Sequence, residues 1–290
     1  MRIAFIGTES FANVALAVVE NGHQLTHLFC PAKTAVAVSV RIEAVEQRAG
    51  IRAARRLVER KDLEAIHASG PDLILSAGYP TRLPVRPGDP VPGINIHPSP
   101  LPEGRGPRPY EWAILSGRTA TAITFHELTE RFDAGAVLLQ VPLGLTSTET
   151  TASLDFRVRS LMAAAVPEFL TNFSALWANR QAQGPGSYCK VPSLNDRTID
   201  LTRGVDAADR ILRAFVPGDI FVVIGGRRWT VFDAVCWRSA PEVAPGSCVA
   251  QNGPERLFAL ADGYLLVRSA LPPSLARVRR TITGLAARFR

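Results

Sequence analysis

The sequence predicts an α/β protein: a mostly parallel sheet covered by helices, followed by a smaller antiparallel β-barrel. Three observations carry this expectation. In the first half, short apolar runs alternate with longer segments of helical period, the pattern of a helix-covered parallel sheet. Beyond residue 215 the runs become short and strand-like, separated by tight turns such as Gly225-Gly226 and Asp262-Gly263. The 290 residues suffice for one large or two modest domains with a substantial core.

Taken in order, residues 2–6 read as a strand ended by Gly7, 11–21 as a helix closed by Gly22, and 24–30 as a second strand. Residues 41–49 and 56–69 carry helical period until Gly70-Pro71 breaks the chain, and 73–77 form a third strand. A fourth, at 93–97, stops at Pro98, because proline has no N–H for the ladder and restricts the residue before it. A helix at 109–116 ends at Gly117, strands at 121–126 and 137–142 flank a loop, and 151–178 has the period of one long amphipathic helix. Residues 181–203, rich in Gly, Pro, Ser, Asn and Asp, mark a linker. After a helix at 206–215, five strands are expected at 220–224, 228–236, 247–250, 256–261 and 264–269. The domain expectation is therefore 1–185, a linker at 186–204, and 205–290.

Composition narrows the function classes. With 47% hydrophobic and 20% charged residues and no apolar run of membrane-spanning length, a cytoplasmic enzyme is expected, and the first residues read as a buried strand rather than a signal peptide. Cys30, Cys189, Cys236 and Cys248 form no Cys-x-x-Cys pair, against both a zinc knuckle and a disulfide framework. The net charge of +7 comes almost entirely from arginine, Lys33, Lys61 and Lys190 being the only lysines. The arginines cluster at Arg52, Arg55, Arg56 and Arg60 and again at Arg277, Arg279, Arg280, Arg288 and Arg290, and are read as solvated faces. Gly104-Arg105-Gly106 lacks the further glycine of a dinucleotide fingerprint, and no Walker-type Gly-x-x-x-x-Gly-Lys occurs, so neither nicotinamide nor nucleoside triphosphate is indicated.

Chemistry concentrates at the end of the fourth strand. Asn95 and His97 lie two apart, so their side chains project from one face, just where open parallel sheets bind ligands. Asp133 lies on a loop between strands. A histidine can take a proton from an attacking amine, an amide N–H can hold a developing oxyanion, and a carboxylate can orient the imidazole. The trio suits acyl transfer to an amine with no covalent enzyme intermediate. Spacing alone leaves a structural role open for each, and His126, two residues from Thr124, reads equally as a packed residue or a substrate contact.

The string Asn-x-His-x-Ser-x-Leu-Pro-x-x-Arg-Gly from Asn95 to Gly106, followed by Asp133-Ala134-Gly135, resembles the signature of the 10-formyltetrahydrofolate-dependent formyltransferases. The opening strand and the segment from Leu212 to Phe215 with the strands after it are similar to the same family, so the resemblance covers nearly the whole chain. It implies a Rossmann-like catalytic domain with an OB-like C-terminal domain, and 10-formyltetrahydrofolate as formyl donor. By the same resemblance Asn95, His97 and Asp133 are catalytic, with His97 the base. Ala77, Gly78, Tyr79 and Leu83, with Thr129, Glu130, Arg131 and Phe132, match the segments that hold the pterin.

The acceptor is less defined. Residues 31–41, where the tRNA branch of the family carries a basic insertion, hold only two positive charges, Lys33 and Arg41, which weakens a tRNA reading because phosphate contacts supply most nucleic-acid affinity. The expected partner is a small-molecule amine, either a nucleotide-linked aminosugar or an amino acid derivative such as hydroxyornithine. Ser99 lies in the loop beside the site, Glu103 suits a cationic amine, and Arg105 and Arg108 suit a carboxylate or phosphate. The alternatives are a methionyl-tRNA acceptor, hydrolysis with water in place of the amine, and an RNA-binding module with a vestigial transferase fold.

Overall fold

The computed structural model describes residues 1–31 and 42–272. The stretch at 32–41 and the arginines from Arg277 onward lie outside the described residues. Two compact units divide the chain: one holds Met1–Pro109, Thr119–Leu145 and Ala152–Lys190, the other Tyr110–Arg118, Thr146–Thr151 and the described residues from Val191.

The first unit is built on β1 (Arg2–Gly7), β2 (Gln24–Phe29), β3 (Leu73–Ala77), β4 (Gly93–His97), β5 (Ala120–Glu127) and β6 (Val137–Gly144), in the order β2-β1-β3-β4-β5-β6. The β2-β1-β3-β4 side is parallel, and the β4-β5 and β5-β6 pairings are antiparallel. The sheet is thus mixed. β1 and β3 are buried at nearly every position, as strands covered on both faces must be, while most of β6 alternates half-buried and exposed positions. Helices α1 (Ala12–Glu20), α2 (Ile42–Ala49), α3 (Arg60–Ser69), α5 (Thr151–Thr171) and α6 (Phe173–Ala178) accompany it, while α4 (Pro109–Leu115) falls mostly in the second unit.

Two helix boundaries differ from the sequence expectation for local reasons. α3 starts at Arg60 rather than 56 because Glu59 and Asp62 form a capping box, and Asp62 also takes a two-pronged bond from Arg56 at 2.6 Å on each oxygen. The long helix is interrupted at Asn172, where the Thr171 hydroxyl and Asn172 amide bond the carbonyls of Pro167 and Glu168, competing with backbone partners. Among the described residues, no helix is long and apolar enough to cross a membrane.

The second unit carries β7 (Thr198–Ile199), α7 (Val205–Ala214), β8 (Ile220–Ile224), β9 (Arg227–Arg238), β10 (Cys248–Asn252), β11 (Glu255–Ala259) and β12 (Gly263–Leu271). They form one sheet of order β10-β11-β12-β9-β8-β7, with a core that includes Val205, Ala208, Val222, Val231, Phe258, Leu265 and Val267. Among the described residues it has six strands rather than the expected five. The extra strand, β7, pairs parallel to β8 from within the expected linker.

Beneath β5, Phe125 stacks on Phe169 of α5 at 4.3 Å between ring centroids, and Phe169 meets Phe173 edge-on at 5.8 Å. Both Phe125 and Phe169 are fully buried. This stack supports the strand that faces β4. Phe169→Ala should therefore destabilise the protein by about 3–5 kcal/mol, the range for a truncated buried aromatic, read as a shifted urea midpoint at unchanged slope.

Candidate active site

Strand β4 ends at His97, and its antiparallel partner β5 places His126 directly opposite Asn95 and Thr124 opposite His97. Four polar residues thus gather on two neighbouring strands within a buried sheet. His97, Thr124 and His126 are each no more than 5% exposed. Asp133 arrives from the loop after β5 with a left-handed backbone (φ 51°), a conformation that Asp tolerates better than most residues.

Hydrogen bonds fix the tautomers. His126 Nδ1–H donates to the Glu127 carbonyl at 2.9 Å, so its Nε2 carries a lone pair, which receives Asn95 Nδ2–H at 3.1 Å. That bond orients the Asn95 amide and leaves it a second N–H. His97 Nε2–H donates to the Gly104 carbonyl at 2.9 Å, which leaves Nδ1 as the nitrogen that gains or loses a proton. Nδ1 faces Asp133 Oδ1 at 3.4 Å, and the same oxygen lies 3.6 Å from His126 Nε2. The other Asp133 oxygen receives Gly106 N–H at 2.9 Å. Asn95, His97 and Asp133 are thereby brought together, although 38 positions separate the first from the last.

Burial, and next the charge that His97 can carry, push His126 down to about 4, against the pull of Asp133. It is neutral at physiological pH, as its acceptor role toward Asn95 requires.

The remaining site expectations fall in three places. Ala77 is buried at the end of β3; Gly78 follows at φ 60° against the Phe11 ring, and Leu83 packs in a core cluster that Tyr79 and Leu128 flank. The Tyr79 hydroxyl accepts Val58 N–H at 2.6 Å. Arg82 ties this segment to the Glu130 carbonyl at 2.9 Å, and the Thr129 hydroxyl holds the Arg131 carbonyl, so the 77–83 and 129–132 segments adjoin and leave Phe132 54% exposed. In the third place, Ser99 is buried with its hydroxyl on the Glu103 carbonyl, and its own carbonyl accepts Thr124 Oγ1–H at 2.6 Å. Arg105 bonds Gln183 and the Gly184 carbonyl, Glu103 is half-buried, and Arg108 is exposed.

The sequence reading did not single out Gln183 or the Gly104 carbonyl, and it left the role of His126 open. The signal for His126 was its place opposite Asn95, legible only once β4 and β5 are paired antiparallel.

Residues 1–170 match the family model described as formyl transferase. The chain belongs to the formyl transferase family. The methionyl-tRNA formyltransferase of Methylococcus capsulatus is 30% identical over 293 residues, spanning 96% of this chain and 94% of that protein. Among solved structures, the N-formyltransferase from Helicobacter canadensis, in complex with folinic acid and dTDP-3-aminofucose, matches with a TM-score of 0.66 at 13% identity, over 93% of this chain and 99% of that one. HypX from Aquifex aeolicus, in complex with tetrahydrofolic acid, matches with a TM-score of 0.62 at 22% identity, over 96% of this chain; this chain spans only 46% of HypX. The two structures share the fold.

For this formyltransferase the low His126 value sets a pH window. The unfolded chain protonates this histidine at about 6.5, the folded one only at about 4. Between those values the unfolded state holds the extra proton, so stability is full above about 6.5 and falls as the pH drops toward about 4. Urea titrations at several pH values should show this fall in the native protein and a slope shallower by up to about one proton in His126→Gln.

Proposed function

We propose that this formyltransferase moves the formyl group of 10-formyltetrahydrofolate onto the amine nitrogen of a small acceptor by direct attack. The observation that carries this reading is the single exchangeable imidazole nitrogen, His97 Nδ1, turned toward a carboxylate and beside an oriented amide. No side-chain nucleophile is required. The amine nitrogen bonds the formyl carbon and its proton passes to His97 Nδ1, where the Asp133 carboxylate stabilises the charge. The second N–H of Asn95 holds the carbonyl oxygen as it gains charge. The bond from carbon to the folate nitrogen then breaks, and that nitrogen takes the proton back from His97.

The donor is assigned to the 77–83 and 129–132 segments. A glycine pressed against the Phe11 ring, main-chain groups of a stitched loop, and an exposed Phe132 suit a flat heterocycle read by its edges. The acceptor is assigned to the loop from Ser99 to Arg108, with Glu103 for a cationic amine, Arg108 for an anionic group, and Ser99 and Arg105 shaping the loop. A small amine is preferred because residues 31–41 hold only two positive charges. Methionyl-tRNA is the second reading, supported by the near full-length similarity to the Methylococcus capsulatus enzyme. Within the same reading, 1–185 is the catalytic domain, 186–204 a linker, and 205–290 an OB-like barrel. A vestigial RNA-binding role is disfavoured by the assembled trio.

An acceptor screen tests the proposal. Consumption of 10-formyltetrahydrofolate should depend on one of three additions: nucleotide aminosugars, hydroxyornithine or charged initiator tRNA. Steady consumption with water alone would make the protein a hydrolase. His97→Asn should lower kcat by at least about a hundredfold, and a variant at full rate would remove the imidazole from the chemistry.

A further inference from the structure

Gln183 lies in a segment with no helix or longer strand of its own, and from 181 to 188 it is the one half-buried residue among exposed neighbours. Its carboxamide is fully used. Nε2 donates to the Asp133 carbonyl at 3.0 Å and the Gly135 carbonyl at 2.7 Å, while Oε1 accepts from Arg105 Nε at 3.0 Å and Arg105 Nη2 at 2.8 Å. Two donors and two lone pairs are all that a primary amide has. The arrangement also fixes which end is oxygen, since only oxygen can face a guanidinium and only nitrogen can face two carbonyls.

The consequence follows from three consecutive residues. The Gly104 carbonyl holds His97 Nε2, the Arg105 side chain holds Gln183, and Gly106 N–H holds the Asp133 carboxylate. Through Gln183 the same tripeptide also holds the backbone of Asp133. Both partners of the 3.4 Å approach between His97 Nδ1 and Asp133 Oδ1 are therefore referred to one short loop. The segment holding Gln183 is itself sewn to that loop, by Arg105 N–H to the Ser187 carbonyl at 3.1 Å, Gly104 N–H to the Ser187 hydroxyl at 2.9 Å, and Cys189 N–H to the Arg105 carbonyl at 2.6 Å.

We propose that Gln183, held by Arg105, is a positioning residue for formyl transfer: its carboxamide sets the backbone of Asp133 so that the carboxylate stays opposite His97 Nδ1. The proposal rests on the formyl-transfer reading of the site. It predicts a specific separation of effects. Gln183→Glu keeps an acceptor for the Arg105 fork but loses both N–H donors to the Asp133 loop, whereas Gln183→Ala loses everything.

The test measures kcat, KM for 10-formyltetrahydrofolate, and the side-chain nitrogen resonances of His97 in the full-length protein. Both variants should lose about ten- to a hundredfold in kcat, the scale of a reacting group displaced by about an ångström, with KM for the donor within about twofold of native. The Arg105→Ala/Gln183→Ala double variant should fall no further than Gln183→Ala, since both act through one linkage. In Gln183→Glu the His97 resonances should move in the same direction as in Asp133→Asn. A Gln183→Glu enzyme within twofold of native kcat, or one whose His97 resonances stay where they are, would overturn the proposal. Should Gln183→Ala fail to fold, Gln183→Glu decides alone. If no acceptor supports transfer by the native protein, the functional reading fails, and the resonance comparison still decides whether Gln183 positions Asp133.

Discussion

The bond from His97 Nε2 to the Gly104 carbonyl is the constraint on which the site depends. A neutral imidazole carries one proton; by committing it to a backbone acceptor, the fold decides which nitrogen is left open toward Asp133. The acceptor is a main-chain carbonyl in a loop held at several points, so the choice is made by the backbone. With Nε2 occupied, Nδ1 is the ring nitrogen open to a proton, and Asp133 already faces it.

Three ionisable groups share this small volume, which burial alone would disfavour. Each is resolved differently. His126 stays neutral because it is buried and because its lone pair serves Asn95. Asp133 has the Gly106 N–H on one oxygen, a partner for its charge that is in place before any substrate arrives, while its other oxygen faces His97 Nδ1. His97 alone keeps an uncommitted ring nitrogen. The arrangement thus gives the three groups different hydrogen-bonding duties: both ring nitrogens of His126 are engaged, one Asp133 oxygen is held by the backbone, and one His97 nitrogen is left open.

Much of the fold could be read from the chain because its signals are local. The apolar runs of β1 and β3 and the period-two placement of Asn95 and His97 need no partner to be recognised, and Asp133 follows from the motif it shares with a family. The losses are those of long-range pairing. His126 gains its meaning from Asn95 across an antiparallel ladder, where a mostly parallel sheet was expected. Gln183 lies in a Gly- and Pro-rich stretch without periodicity, and its partners are 48, 50 and 78 positions away. β7 has two residues, too few to show alternation, and the start of α3 was displaced by a capping box whose acidic pair reads as ordinary surface charge.

The backbone of Asp133 points the same way. A left-handed conformation at a residue with a side chain costs about 1–2 kcal/mol, and local stability alone would favour glycine there, as at Gly106 (φ 100°), whose N–H the Asp133 carboxylate accepts. Glycine has no carboxylate. An aspartate kept in that conformation by Gly106 N–H on its side chain and Gln183 on its carbonyl is therefore a place where the sequence gives up local stability for the position of one charge. The placement of the carboxylate opposite His97, rather than the ease of the turn, fits the residue found there, and the surrounding hydrogen bonds offset the strain that it introduces.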